Sequence, residues 1–171
     1  CVFINYGIEA VDDEVLKNMK KALTTEQVTR GIEATLAAGI SPGCNILFGN
    51  IGDSAETLKK AKEFLFKYDD AAHLRTIRPV TPYPGSELYY HALKIGLIKD
   101  CEDFYENKHV NSDLAACNFT DMSDDELHGL LFEANSAFVK RYFDQTAAKI
   151  IENAKKLYLE KDMTFRGFRD S

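Results

Sequence analysis

Three places in the chain set polar residues or glycines directly after a short apolar run, where a side chain can meet a ligand. Glu9 follows the apolar Val2–Tyr6 and Gly7. Its carboxylate can accept hydrogen bonds from an amine or from ribose hydroxyls. Equally, it can sit near the positive end of the next helix without touching a ligand. Asn45 and Leu47 fall on one face of the run Asn45-Ile46-Leu47-Phe48 by the strand period of two. An amide beside an apolar side chain suits a nucleoside, and an interior asparagine with satisfied hydrogen bonds is the competing account. Lys20 and Lys21 could pair with a carboxylate ligand, although a helix C-terminus favours cations anyway. Arg75 and Arg78 lie in a third apolar segment, where arginine marks a strand end or a pocket.

Other chemistries find little support. The four cysteines, Cys1, Cys44, Cys101 and Cys117, make no close pair, so neither a CxxC redox motif nor a disulfide framework is indicated. Four unpaired thiols fit a reducing, cytoplasmic setting. His73, His91, His109 and His128 lack metal-ligand spacing. Gly49-Asn50-Ile51-Gly52 is no P-loop, because no GK[ST] ending follows. With a formal charge of −6, the chain is not expected to bind nucleic acid. No apolar run approaches the roughly 20 residues that span a bilayer, and no membrane association is expected. A small-molecule substrate is the expected partner.

These residues need a scaffold, and the pattern of the chain supplies one. The 171 residues, 45% hydrophobic and 28% charged, are enough for a sizeable core. Val2–Tyr6 reads as a buried strand, with Asp12 and Asp13 as caps for a helix whose apolar face is Val15, Leu16 and Met19. Thr24 and Gln27 form a capping box for a second helix carrying Val28, Ile32 and Leu36 and stopped by Gly39. A strand at Asn45–Phe48 follows. Asp53 and Ser54 then cap a helix with Leu58, Ala61, Leu65 and Tyr68 inside. His73–Val80 reads as a third strand, and three prolines keep the stretch up to Ser86 irregular. Ser86 starts a helix that ends at Gly96. Beyond it the period is lost, although Leu97, Ile98, Phe104 and Tyr105 are expected in the core. Ser123-Asp124-Asp125-Glu126 then opens a long helical tract to about Leu159, expected as two helices or one broken near Asp144. A basic-aromatic tail, Thr164–Arg169, is expected to fray. Strands alternating with helices imply βαβ units and a parallel sheet, and the pattern alone allows a barrel piece or an open sheet. Ligands bind at the carboxyl ends of such strands, here Gly7 to Glu9, Asn45 to Gly52 and Val80 to Gly85.

The wording at these strand ends resembles the radical S-adenosylmethionine (SAM) superfamily. Tyr6-Gly7-Ile8-Glu9 with Asp12–Met19 resembles the fourth-strand region of its barrel. Asn45-Ile46-Leu47-Phe48-Gly49-Asn50-Ile51-Gly52 with Glu56-Thr57 resembles the fifth-strand motif, and Pro79–Tyr89 resembles the sixth strand and its exit loop. The most similar branch carries a cobalamin-binding domain and includes anaerobic Mg-protoporphyrin ester cyclase-like Fe-S oxidoreductases. The resemblance implies an α/β fold, the C-terminal half of a partial (β/α)6 TIM-type barrel over residues 1–100. A mostly helical extension over 101–171 would pack on it. It implies SAM as cofactor, a [4Fe-4S] cluster whose CxxxCxxC ligands lie outside this sequence, and cobalamin in the full-length protein. Carried over by position, Glu9 would serve the ribose or methionyl end and Lys21 the SAM carboxylate. Asn45 would meet the ribose, Leu47 would pack on adenine, Gly49 would bind the cofactor from the loop after that strand, and the backbone around Val80 would meet the adenine edge. No catalytic residue and no metal ligand is assigned.

The chain opens at Cys1 inside a strand, as a piece of a longer enzyme would. Such a piece lacks the cluster loop, so the expectation is a radical SAM oxidoreductase as parent and a catalytically inert fragment. The resemblance would place the parent's chemistry in methyl transfer, cyclisation or oxidation. A self-contained aldolase-like barrel enzyme and a non-enzymatic interaction module are the alternatives. The first strand would be an open apolar edge through which the fragment self-associates.

Overall fold

The computed structural model describes residues 1–111, 113–114, 116–162 and 164. Strand β1 (Phe3–Glu9) leads through α1 (Asp13–Asn18) and α2 (Thr25–Ala37) to β2 (Ser41–Phe48). Helix α3 (Ala55–Tyr68) then leads to β3 (Arg78–Pro79). Helix α4 (Glu87–Lys94), α5 (Cys101–Asp103), a π-helical turn (Phe104–Lys108) and α6 (Asp124–Tyr158) complete the order. The strands form a parallel sheet in the order β1-β2-β3. The fold is therefore the mixed α/β class expected, a segment of a parallel α/β barrel followed by a helical extension.

The caps act where the residue pattern places them. Asp12 accepts from the backbone of Glu14 and Val15, and Thr24 with Gln27 and Ser54 with Thr57 form reciprocal boxes that satisfy the first donors of α2 and α3. Gly39, at φ 69°, ends α2 in a conformation that costs glycine little. One face of the sheet is apolar. Ile8, Cys44, Ile46 and Phe48 pack against Val28 and Ile32 of α2 and Leu58 and Leu65 of α3. Tyr6 reaches the same side, its hydroxyl 2.7 Å from Thr35 Oγ1 on α2. The first half of α6, through Leu127, Leu131, Ala134 and Phe138, belongs to this core as well. A second cluster, built on Tyr89, Ala92, Ile98 and Phe104, joins α4 to the π turn.

Three expectations need correction. The third strand does not run from His73 to Val80; only Arg78–Pro79 pair with β2. Ahead of them, Ile77 finds its partner on a helix: its N–H donates to Asn135 Oδ1 at 2.9 Å and its carbonyl accepts from Asn135 Nδ2 at 3.0 Å. One side-chain amide on α6 thus stands in for a neighbouring strand. Nor does α6 break near Asp144. It is continuous over 35 residues, with no proline and no glycine beyond Gly129, and Lys140 bridges to Asp144 at 2.7 Å across the expected break. Tyr105, expected in the core, is exposed. The tail from Phe165 lies outside the described residues. No helix is long and apolar enough to cross a membrane among the described residues.

Candidate functional site

The sheet face turned away from the helices is polar and thinly furnished. It presents Asn5 and Gly7 from β1 and Asn45 and Leu47 from β2, all exposed or half-buried. A cleft of about 490 Å³ runs along it, lined by Asn5, Glu9, Asn45, Leu47, Thr76 and Arg78 among others. The face expected of a barrel interior, bulky and branched, is here left open. At Gly43, which is buried, the Asn5 and Phe3 side chains lie over the strand and leave no room for a β-carbon.

Glu9 owes its position to an irregularity. The β1–β2 register slips between Gly7 and Glu9, so that Gly7 faces Asn45 and Glu9 faces Ile46. Such a bulge re-aims a side chain. Glu9 also has φ 66°, uncommon for a residue with a side chain. Its carboxylate turns back over Gly7, where an added β-carbon would lie 2.6 Å from Glu9 Oε1. Lys21 completes the group, with Nζ 3.1 Å from Glu9 Oε1 and donating to the Gly7 carbonyl at 3.0 Å. The turn that ends α1 delivers it there. Lys20 adopts φ 55°, and the Lys21 N–H returns to the Leu16 carbonyl at 2.9 Å. Lys20 itself pairs with Glu87 at the start of α4.

The loop after β2 hangs on Asp53, which residue patterning marks only as a candidate cap. Asp53 is buried; its Oδ2 accepts from the N–H of Gly49 at 3.0 Å and of Asn50 at 2.9 Å, and its Oδ1 accepts from the Thr57 hydroxyl at 2.8 Å. Burial pushes its carboxyl above the ordinary range, against the pull of these hydrogen bonds. Gly49, at φ 97°, has its N–H committed to Asp53 and its carbonyl accepting from Phe119 at 3.3 Å. It shapes the loop. The Val80 N–H donates to the Phe48 carbonyl at 2.8 Å.

Glu9, Asn45 and Leu47 therefore share one cleft, and Lys21 joins them through Glu9. Val80 lines a second cleft of about 590 Å³ with Asn50, Ile51, Ser86 and His91. A larger cleft of about 760 Å³ lies among α1, α2 and α3 and holds none of the candidates. There Lys60 bonds to Asp12 at 2.7 Å, which holds the Asp12 carboxyl below the ordinary range. Asn5, Arg75, Thr76 and Arg78 are polar cleft residues that strand-end reasoning passed over or left unassigned. The period of two that placed Asn45 and Leu47 together would also have found Asn5 on β1.

All four cysteines are free. Cys44 and Cys117 are buried, and burial pushes the Cys44 thiol up to about 11. Among the described residues no group of three or more His, Cys, Asp or Glu could hold a metal ion. A [4Fe-4S] cluster does not fit the residues present.

Such a chain is a parallel α/β segment with a cleft along the open face of its sheet. No family model matches it. It is 27% identical over 100 residues to the bacteriochlorophyllide d C-8(2)-methyltransferase of Chlorobaculum tepidum, covering 57% of this chain and 22% of that protein. It is 29% identical over 102 residues to an uncharacterized protein of Methanocaldococcus jannaschii, covering 52% of this chain and 19% of that protein. The chain thus aligns with about a fifth of the length of these curated relatives.

Proposed function

We propose that the chain is the C-terminal part of the barrel of a radical SAM enzyme and carries its nucleoside-side contacts. One observation carries the reading: Glu9, Asn45 and Leu47, on two different strands, open onto the same cleft along the free face of a parallel sheet. The three strand-end motifs and the distant likeness to a methyltransferase support it. SAM, when bound, supplies the adenosyl or methyl group on which the parent's radical chemistry draws. The residues of this chain hold and orient: Asn45 offers an amide to ribose hydroxyls, and Leu47 an apolar surface to the base. Glu9, fixed by Lys21, accepts from hydroxyl or amine. Gly49 and Asp53 shape the loop, and the backbone around Val80 meets the base edge. The iron–sulfur cluster, and cobalamin in the branch it resembles, are held by other parts of the parent. Residues 1–100 form the barrel part and 101–171 an extension that covers it. The fragment alone is inert.

The test uses the full-length protein, reconstituted anaerobically with iron and sulfide. 5′-Deoxyadenosine is the expected product, and Glu9→Ala and Asn45→Ala are each expected to weaken SAM binding about tenfold. A loaded cluster without deoxyadenosine would refute the class. Unchanged affinity in both variants would remove the site assignment.

A further inference from the structure

Helix α6 has two apolar faces. At about 100° per residue, the core-facing Leu127, Leu131, Ala134 and Phe138 lie on one side. About 130° away, Phe132, Val139, Phe143 and Ile150 fall within about 40° of arc. They are 73%, 38%, 60% and 49% exposed. Beyond Phe138 no residue of the helix is buried, although it continues to Tyr158. A contiguous exposed apolar stripe along such a stretch calls for a packing partner.

Four apolar residues of the second face pair up along the helix. Phe132 and Ile150 lie nine residues either side of Arg141, Val139 and Phe143 two residues either side, and the helix ends, Asp124 and Tyr158, seventeen either side. A two-fold interface requires such self-complementarity. The charges agree: the first turn is acidic, with Asp124, Asp125 and Glu126, and the last is basic, with Lys155 and Lys156. Two antiparallel copies in this register set each acidic turn beside the partner's basic one and oppose their dipoles. The back of the helix is occupied, since Arg141 donates to the Asp69 carbonyl at 3.4 Å and lies over the Phe66 ring. Beside Phe132 and Val139 an apolar cleft of about 640 Å³, walled by Pro79 and Leu114, leaves room for the partner's projecting half.

We infer that α6 is a homodimerisation helix, pairing antiparallel with α6 of a second copy about an axis at Arg141. A strip about 52 Å long and one helix diameter wide buries roughly 1,100 Å² in total, at the lower edge of stable interfaces.

Light scattering on the purified 171-residue chain tests this. A dimer is expected at about 100 µM, giving way to monomer in Phe143→Glu/Ile150→Glu and persisting in Phe143→Leu/Ile150→Leu. With the exposed Cys1 and Cys101 replaced by serine, spin labels at Lys155 should lie about 42 Å apart along the axis, and labels at Lys140 within roughly 25 Å. A monomer at that concentration would overturn the inference. So would a dimer that survives the double glutamate variant, as pairing through β1 would, or Lys155 labels closer than about 30 Å.

Discussion

Replacing Asp53 by alanine strips the loop after β2 of its single shared acceptor. The N–H groups of Gly49 and Asn50 both point at Asp53 Oδ2, and both are buried. Each buried donor left unpaired costs about 1–3 kcal/mol. Thr57 loses less, because its hydroxyl keeps a bond to the Ser54 carbonyl at 3.0 Å. The sum is about 3–4 kcal/mol, or a fall in melting temperature of roughly 10 °C for a chain of this size. Asparagine keeps an acceptor for both backbone groups and should cost only about 1 kcal/mol. The pH dependence has a definite sign. Burial raises the folded-state pKa of Asp53 above its unfolded value. The stability this contributes is complete below the unfolded value and is lost as pH rises through the folded one. The asparagine side chain does not titrate, so the penalty of Asp53→Asn should shrink between about pH 4 and about pH 7. Thermal melts of the three proteins at both pH values decide it. An alanine penalty below about 1 kcal/mol, or an asparagine penalty that grows with pH, would refute the reasoning.

Three further outcomes are expected. Arg75→Met should cost about 2 kcal/mol, because it leaves the half-buried Asp69 without the cation 3.6 Å away. Burial already raises the Asp69 carboxyl against the pull of Arg75, so the loss should deepen as pH rises, and Asp69→Asn in the same chain should recover most of it in denaturant titrations. Alkylation at about pH 8 should modify Cys1 and Cys101 in the folded chain while sparing Cys44 and Cys117, with all four reacting in denaturant; mass spectrometry reads the sites. Gly7→Ala should displace the Glu9 carboxylate and weaken SAM binding in the full-length protein as much as Glu9→Ala, with melting shifted by less than about 2 °C.

Local chemistry was legible in the sequence wherever a partner lies a few residues away. Thr24 with Gln27, Ser54, Ser86, Asp12 and Gly39 all act where their spacing puts them. What escaped depends on contacts distant along the chain. Nothing in His73–Val80 says that Ile77 will take its hydrogen bonds from Asn135, 58 residues later. The continuity of α6 is a nearer miss, since Lys140 and Asp144 stand at a supportive spacing and no breaker separates them. At the site, the alternation of β2 places Asn45 and Leu47 on one face. The bulge that aims Glu9 is a property of the β1–β2 pairing and has no signature in either strand alone.

That bulge bears on why the site is built as it is. A strand end in regular register would carry the residue after Gly7 onto the helix side, as Ile8 is carried, and the next onto the cleft side but further along the strand. The extra residue shortens that reach and lets Glu9 fold back over Gly7, within 3.1 Å of Lys21. A left-handed φ at Glu9 is tolerated because the Ala10 N–H returns to the Ile8 carbonyl at 2.8 Å and Lys21 holds both the carboxylate and the Gly7 carbonyl. The conformation is therefore held from three sides before any ligand arrives, and the cleft residues beside it, Asn45 and Leu47, sit on a strand whose other face is locked in the core. On the proposed function, a site held this way would lose little entropy on binding. This preorganisation is what would suit Glu9 to a ligand.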